Sequence, residues 1–345
     1  MRVARLKDSG QRACYHVVNR VIERRRVLGT EEKKQLLHFM RAVESFSGIT
    51  VLTFAIMDDH FHLLLELSEE EPIGDEDLSL RLSHLYDADK ITSIMDEIRG
   101  YRDAGDDEAA DQVKSRYTSR MYELSEFVKT LKQKYTQWHN KRHARRGTLW
   151  ESRFKSVMIQ PERARQWQWD NALVIMAAYI DLNAVRGGMV TDPGEYRYCG
   201  FGEACEGGRA ARDGIARLFN NDGRKATPWK TIAGHYRNYM AASVESPSAT
   251  EVFSPERVNE LLDNKVTLTL AQTLRCRVRY FSDGAVLGSK PYVEDVFQRN
   301  REQFGLKRKS GARGLRQIKA GALCTMRDLR LDPILPPGSS TNAGE

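Results

Sequence analysis

The chain has 345 residues, 41% of them hydrophobic, which is enough to bury globular cores in two domains. No apolar run approaches the roughly 20 residues of a membrane span. The charged start of the chain also lacks a signal-peptide core, so we expect neither a membrane protein nor a secreted one. Five scattered cysteines without zinc-site spacing are typical of reduced thiols, which predicts a cytoplasmic protein.

The net charge of +7 is distributed unevenly along the chain. Residues 69–111 contain 15 acidic and 4 basic residues, whereas residues 112–165 contain 14 Lys and Arg against 4 Asp and Glu. Residues 299–330 contain 10 basic residues against 2 acidic ones. Basic blocks predict a polyanionic partner, because each phosphate contact by Lys or Arg releases condensed counterions. The alternative is that these blocks are solvated helix faces.

The first basic block also contains aromatic side chains, which are able to stack on unpaired bases. These aromatic residues are Tyr135, Trp138, Trp150 and Phe154. The combination of positive charge and aromatic rings favours a nucleic-acid partner over a purely solvated surface.

In chain order, the first elements are a strand, a helix and two further strands. Residues 15–21 have strand character, and Thr30 is a suitable N-cap for a helix that runs to about residue 47. Residues 49–56 are predicted as the second strand. The short segment 57–59 then predicts a hairpin turn into the third strand.

The third strand carries two histidines. Because successive side chains of a strand alternate between its faces, His60 and His62 project to the same side, roughly 6–7 Å apart. The opposite, core-facing row consists of Phe61, Leu63, Leu65 and Leu67. Two imidazoles on a rigid sheet provide half of a divalent-metal site. The alternative is a pair that is merely tolerated on a strand.

An acidic segment, a long basic helix, a fourth strand and a further helix follow. We expect the acidic segment to be helical in pieces, with breaks at Gly74, Gly100 and Gly105. The other three elements are predicted at residues 119–145, 154–160 and 167–185. This order, with a hairpin in its middle, predicts an α+β sandwich with a ferredoxin-like antiparallel sheet. A parallel sheet is not expected, because the two central strands lie too close together for a crossover connection.

The last of these helices brings two polar side chains together. Tyr179 and Asn183 are four residues apart and therefore share one helix face. A phenol and a carboxamide in this arrangement can serve as a nucleophile and an oxygen ligand. Spacing alone favours a simpler alternative, in which the tyrosine lies at the edge of the core and the asparagine lies near the helix C-terminus.

Several motifs, taken in order, resemble those of the single-tyrosine transposases of the HUH class, and most closely the REP-associated tyrosine transposases. The matching segments are Tyr15-His16-Val17-Val18-Asn19-Arg20, Met57-Asp58-Asp59-His60-Phe61-His62-Leu63-Leu64, Gly147-Thr148-Leu149-Trp150-Glu151-Ser152-Arg153-Phe154-Lys155-Ser156, Tyr179-Ile180-Asp181-Leu182-Asn183-Ala184-Val185-Arg186 and Pro193-Gly194-Glu195-Tyr196-Arg197-Tyr198. The resemblance covers residues 8–205, and an ordered set of motifs is far more specific than any one of them.

The resemblance implies a nuclease domain that acts on single-stranded DNA, often beside a hairpin, in the cytoplasm at the nucleoid. It also implies that His60 and His62 bind Mg²⁺ or Mn²⁺, that Asn183 completes the protein ligands, and that Tyr179 is the nucleophile. Attack by this tyrosine gives a 5′-phosphotyrosine and a free 3′-hydroxyl. The step is reversible, as strand transfer requires, because one phosphodiester replaces another.

The sequence departs from the family pattern at three places. Asp58-Asp59 replaces the usual Pro-Asn before the first histidine, and these carboxylates either adjust metal binding or cap the turn, which we favour. Ala184 stands where many relatives have proline, while the adjacent asparagine is retained. The acidic segment 69–111 is longer than the usual connection. We interpret it as an inert surface insertion, the alternatives being an electrostatic shield and a partner contact.

We expect DNA contacts along the basic helix and just after it. The predicted residues are Lys129, Lys132, Lys134, Lys141, Arg142, Arg145, Arg146, Trp150 and Arg153. The implied partner is single-stranded DNA with hairpin-containing repeats. The alternative function is a non-catalytic protein that binds single-stranded DNA or RNA on the same fold. The sequence leaves open whether the protein is a monomer or a homodimer.

Beyond the transposase-like domain at residues 8–205, we expect a mainly helical auxiliary region at residues 206–330 that adds DNA contacts. It includes a predicted amphipathic helix at residues 291–304 and a basic arm at residues 307–316. The final residues, 331–345, are rich in Pro, Gly and Ser, which predicts a disordered tail.

Overall fold

Four antiparallel strands form the centre of the protein. The computed structural model describes residues 6, 12–164, 171–219, 227–242, 268–269, 274, 281–282, 284–315, 318–319 and 323–326. The central strands are β1 (Ala13–Arg20), β2 (Thr50–Ile56), β3 (His60–Leu67) and β4 (Lys155–Ile159). They lie in the order β2–β3–β1–β4, and each is antiparallel to its neighbours.

Two helices cover one face of these strands. Helix α1 (Thr30–Ser47) connects β1 to β2, and helix α5 (Leu124–Arg142) precedes β4 and contacts α1. Phe61 on β3 packs against Trp150, whose ring in turn contacts Tyr135 on α5. The strand–helix–strand–strand–helix–strand order with this strand arrangement confirms the predicted α+β, ferredoxin-like sheet.

The acidic insertion is helical. It forms α2 (Asp75–Leu82), α3 (Ala88–Asp103) and α4 (Asp107–Thr118), the last of which extends beyond the acidic segment. Two of the predicted breaks are observed, at Gly74 and Gly105, but Gly100 lies inside α3. An interior glycine costs a helix only about 1 kcal/mol relative to alanine, and a helix of 16 residues tolerates it.

The opposite face of the central strands is covered by helices that follow β4. Helix α6 (Ala172–Asp181) contacts β2, β3 and β4, and all ten of its residues are buried. After it come α7 (Asn183–Arg186), α8 (Gly200–Cys205), α9 (Arg209–Ala216) and α10 (Trp229–Ala242). Because the sheet is covered on both faces, both side-chain rows of β3 are largely buried, including the row with the histidines.

The predicted helix at residues 167–185 differs in its details. Its first residues lie partly outside the described part of the chain, which resumes at residue 171. Asn171 caps α6, and Leu182 interrupts the helix, so Asn183 is the first residue of α7. No helix among the described residues has the length and apolar character needed to cross a membrane.

The C-terminal region contributes strands as well as helices, so the expectation of a mainly helical region was incomplete. Strand β6 (Val286–Ser289) pairs in parallel with β4 and in antiparallel fashion with β9 (Leu323–Met326), which pairs with β7 (Arg313–Gly314). Two further strands, β5 (Leu268–Thr269) and β8 (Ile318–Lys319), pair with each other. Strands of two to four residues are too short to show an alternating pattern in the sequence.

Helix α11 (Lys290–Arg299) lies within the C-terminal region and is shorter than the predicted helix at residues 291–304. A separate 3₁₀ turn follows at Arg301–Gln303. Of the predicted basic arm, residues 307–315 are described and Arg316 lies outside the described residues, as does the predicted disordered tail at residues 331–345. The division into domains at residues 205 and 330 stays a prediction.

Candidate active site

Strand β3 presents the two histidines to helix α6. His60 and His62 are 8% and 5% exposed, and their ring centroids lie 5.1 Å apart. The two side chains share one face of the strand, as the alternation of a strand predicts. Two imidazoles are thereby held together on a rigid element.

Tyr179 on α6 faces these histidines. Its ring centroid lies 6.4 Å from that of His62, so the strand and the helix singled out in the sequence meet in one place. The tyrosine is only 2% exposed. Phe281 packs edge-on against its ring at 4.9 Å, and the Arg186 guanidinium carbon lies 4.1 Å from the ring centroid.

Arg186 also links α7 to the tyrosine helix and to the C-terminal region. Its guanidinium donates hydrogen bonds to the carbonyl oxygens of Tyr179, at 2.5 Å, and of Leu274, at 2.6 Å. These bonds hold the guanidinium over the tyrosine ring, which Phe281 contacts edge-on from another side. Arg186 belongs to the motif at residues 179–186, but the sequence did not predict this role.

Asn183 uses its amide nitrogen within the helix. Nδ2 donates to the carbonyl oxygen of Ile180 at 3.0 Å and approaches that of Tyr179 at 3.4 Å. The side-chain oxygen is therefore the only side-chain atom of Asn183 that can act as a metal ligand, because an amide nitrogen has no lone pair to offer.

The two carboxylates before the histidine strand have different contacts. Lys33 on α1 donates to Asp58 Oδ1 at 2.7 Å, which ties the turn to that helix. His60 Nδ1 lies 2.5 Å from Asp59 Oδ1. A carboxylate only accepts, so Nδ1 carries a proton, and in the neutral ring Nε2 keeps the lone pair that a metal requires. Asp58 thus supports the turn, whereas Asp59 acts on the histidine.

The rings of His60 and His62 can supply two nitrogen ligands to a divalent cation. Asn183 as a third ligand stays a prediction, and the three donors together would leave positions open for water or phosphate oxygens. Among the described residues, no group of three or more His, Cys, Asp and Glu side chains is arranged to hold a metal. Burial lowers the pKa of His62 well below its usual value, and the neighbouring histidines lower it further, so this ring is neutral.

His16 on β1 is a third histidine at this site, which was not predicted from the sequence. It is fully buried, and its Nε2 lies 2.8 Å from His62 Nδ1, while its Nδ1 lies 2.6 Å from the carbonyl oxygen of Phe281. Its position in the quoted first-strand motif was visible in the sequence. The register that places β1 beside β3 was not.

The predicted DNA-binding residues lie around α5, on the side of the sheet away from Tyr179. Lys132 donates to Asn19 Oδ1 at 2.9 Å and to the carbonyl oxygen of Ser152 at 3.0 Å. Lys129 binds Glu126, Lys134 donates to the carbonyl oxygen of Leu85, and Arg142 lies 3.6 Å from Glu32. Exposed or half-buried positions are occupied by Lys141, Arg145, Arg146 and Arg153.

A cavity of about 440 Å³ opens between α5 and the segment before β4. Three cations line it, Lys129, Lys132 and Arg153, together with the rings of Trp150 and Phe154. The Lys132 ammonium donates to two neutral oxygens, and its burial lowers its pKa to about 8, so it still carries a positive charge at neutral pH. A cationic cavity with aromatic walls suits a nucleotide.

Two aromatic residues are less available for base stacking than the sequence suggested. Tyr135 is completely buried and belongs to the core beneath α5. Trp150 is 5% exposed, and its indole N–H donates to Thr136 Oγ1 at 3.0 Å, so it forms a wall of the cavity. Both rings are buried by packing against other parts of the chain, and this burial cannot be predicted from a local segment rich in basic and aromatic residues.

Comparisons with known proteins point to one family over the N-terminal part of the chain. Residues 10–75 match the family model described as "Transposase IS200 like", which confirms the resemblance for this segment, including β1, β2 and the histidine strand. No curated protein sequence is significantly similar to the chain. A solved structure described as a REP-associated tyrosine transposase bound to a REP hairpin is 13% identical, covers 66% of this chain and 89% of its own, and has a TM-score of 0.35.

Proposed function

We propose that this protein, which resembles IS200-like transposases over residues 10–75, is a transposase that cleaves and rejoins single-stranded DNA through Tyr179. The observation that carries the proposal is the meeting of His60, His62 and Tyr179 on one face of the sheet, since sequence alone placed them on separate elements. Separate elements that converge on one constellation of nucleophile and ligand side chains are typical of an active site.

The proposed reaction is an exchange of phosphodiesters. Tyr179 Oη gives up its proton and forms a bond to a phosphorus of the DNA, the bond from that phosphorus to the 3′-oxygen breaks, and the released 3′-oxygen takes up a proton. The product is a 5′-phosphotyrosine with a free 3′-hydroxyl. His60, His62 and the Asn183 oxygen would hold Mg²⁺ or Mn²⁺, which when bound withdraws charge from the phosphate.

The cavity and the basic residues around α5 are the proposed DNA-binding surface. Phosphates of the strand would contact Lys129 and Arg153, and an unpaired base would enter between Trp150 and Phe154. Asn19, the partner of Lys132, adjoins Arg20, which pairs with His60 across the sheet. The cavity and the histidines therefore lie at the same end of the central strands, on opposite faces, so one strand of DNA would pass around that end.

A non-catalytic DNA- or RNA-binding protein is the second candidate, and one observation favours it. Tyr179 is 2% exposed and is enclosed by Phe281 and Arg186, so the proposed nucleophile does not lie open to a substrate. A test for a covalent bond to DNA separates the two candidates, because only the transposase forms one.

Formation of a protein–DNA adduct tests the proposal. Single-stranded hairpin oligonucleotides with Mn²⁺ should give an adduct that survives denaturation with the wild type and not with Tyr179→Phe, which keeps the ring and removes the hydroxyl. The matched control is Tyr196→Phe, because that hydroxyl donates to the carbonyl oxygen of Ile56 and should not be needed. An adduct that persists in Tyr179→Phe contradicts the proposal. So does the absence of any adduct when the wild type is incubated with every hairpin of the panel.

A further inference from the structure

A line of hydrogen bonds runs from the C-terminal region through His16 to His62. The carbonyl oxygen of Phe281 lies 2.6 Å from His16 Nδ1, and His16 Nε2 lies 2.8 Å from His62 Nδ1. Both histidine rings are buried. Each step of this line has a direction, because each nitrogen either donates or accepts.

The direction follows from the carbonyl group at its end. A carbonyl oxygen only accepts, so the proton of His16 lies on Nδ1, and in a neutral imidazole this leaves Nε2 as an acceptor. His62 Nδ1 must then be the donor, and the lone pair of a neutral His62 ring lies on Nε2. The neutral form is the relevant one, because His16 is fully buried between a carbonyl oxygen and another imidazole, and burial without a compensating charge disfavours an imidazolium.

The geometry of the two rings supports a hydrogen bond rather than simple packing. Their planes differ by 11° and their centroids are 5.0 Å apart, yet the two nitrogens are only 2.8 Å apart. Such a short nitrogen–nitrogen distance between nearly parallel planes places the rings edge to edge, where the N–H bond and the lone pair lie in one plane.

We propose that His16 is a positioning residue that holds His62 in the Nδ1–H tautomer, so that Nε2 of His62 is its ligand nitrogen. The assignment of Nε2 to a metal rests on the proposed function, whereas the tautomer itself does not. Asp59 has the same effect on His60. Hydrogen-bonded partners of ligand histidines typically alter metal affinity or activity by 10- to 100-fold when they are removed, by order of magnitude.

Nitrogen-15 NMR of the metal-free protein reads the tautomer directly, with the His62 signals assigned by their loss in His62→Gln. The wild type should show a protonated Nδ1 and a bare Nε2 at His62. His16→Leu removes the acceptor, so the His62 signals should shift toward the Nε2–H tautomer. His16→Gln should restore the wild-type signals, because its amide oxygen can accept from His62 and its nitrogen can donate to Phe281.

Mn²⁺ affinity, measured by paramagnetic resonance, gives a second readout. His16→Leu should weaken Mn²⁺ binding by about 10- to 100-fold, and His16→Gln should recover most of that loss. Nε2–H at His62 in the wild type overturns the proposal, even if His16→Leu does not fold. So does a tautomer that His16→Leu leaves unchanged. A tautomer that behaves as expected in a protein without Mn²⁺ affinity supports the role of His16 and contradicts the proposed function instead.

Discussion

His60 and His62 reach the same hydrogen-bonded state through different partners. His60 lies at the start of its strand and is held by the charged Asp59, whose side chain is 25% exposed. His62 lies deeper and is held by the neutral ring of His16. A carboxylate in the second position would be costly, because burial without a compensating charge strongly disfavours an ion. The choice of partner therefore follows the depth of each histidine.

Loss of either histidine should abolish cleavage, since each supplies one of the proposed metal ligands. We expect no adduct from His60→Ala or His62→Ala with hairpin DNA and Mn²⁺, and no adduct from the wild type in EDTA. His84→Ala, on the exposed insertion, is the matched control and should cleave normally. Cleavage that survives chelation would return both histidines to a structural role.

At the scale of elements, helix α6 is tied to its surroundings by a buried carboxylate. Asp181 accepts hydrogen bonds from Thr53 on β2, from the Phe201 backbone N–H on α8 and from the Tyr236 hydroxyl on α10. This residue lies two positions after Tyr179, at the last residue of α6. The tyrosine helix is therefore fixed to one strand and two helices through a single side chain.

Asp181 should give the free energy of unfolding a measurable pH dependence. Burial raises its pKa from 3.8 to about 6, so between these values the folded protein binds a proton that the unfolded chain does not. The free energy of unfolding therefore falls as pH rises from 4 to 6, and Asp181 accounts for up to about 3 kcal/mol of this fall. Asp181→Asn mimics the protonated acid.

Urea unfolding of Asp181→Asn and the wild type isolates this contribution, because other titrating groups cancel in the difference. The variant should gain stability relative to the wild type as pH rises from 4 to 7. A difference between the two proteins that is independent of pH would show that Asp181 keeps an ordinary pKa.

Helix α5 and the adjoining cavity should contribute to DNA affinity mainly through charge. Neutralisation of Lys129 and Arg153 to Gln should weaken binding of single-stranded DNA, and each lost phosphate contact should lower the logarithmic salt slope by roughly 0.7. Fluorescence anisotropy across a salt series measures both. Arg99→Gln, on the exposed face of α3, is the control and should leave the slope unchanged. An unchanged slope in the double variant would mark this surface as merely solvated.

For the molecule as a whole, the N-terminal fold was predictable because its signals are local. The helix at Thr30–Ser47 was located correctly, although its N-cap is Gly29 rather than the predicted Thr30 and no side chain caps it. The hairpin into His60–Leu67 is encoded by alternation and a short turn. The proximity of Tyr179 to the histidines came from resemblance rather than from spacing. In the structure the ring centroids of Tyr179 and His62 lie 6.4 Å apart.

Several of the missed features depend on contacts between distant parts of the chain. His16 joins the site because β1 lies beside β3, with Val18 opposite His62 in the ladder. The contribution of Phe281 requires a segment more than 200 positions further along. Likewise, the short strand β6 is defined by its pairing with β4 rather than by its own residues. Local sequence patterns do not specify such pairings.

Phe281 and Arg186 cover the ring of Tyr179, and this cover has a consequence for DNA affinity. If only the uncovered form accepts a strand, the apparent dissociation constant equals the intrinsic one divided by the uncovered fraction. Phe281→Ala removes the ring that packs on Tyr179 at 4.9 Å and leaves the backbone carbonyl that His16 uses. It should therefore bind hairpin DNA more tightly than the wild type, whereas Phe297→Ala, a buried aromatic of α11, should not. Equal or weaker binding by Phe281→Ala in an anisotropy titration would show that the Phe281 ring does not lower the DNA affinity. Tighter binding would mean that Tyr179 is covered in the free protein until DNA binds, and that this cover lowers the DNA affinity.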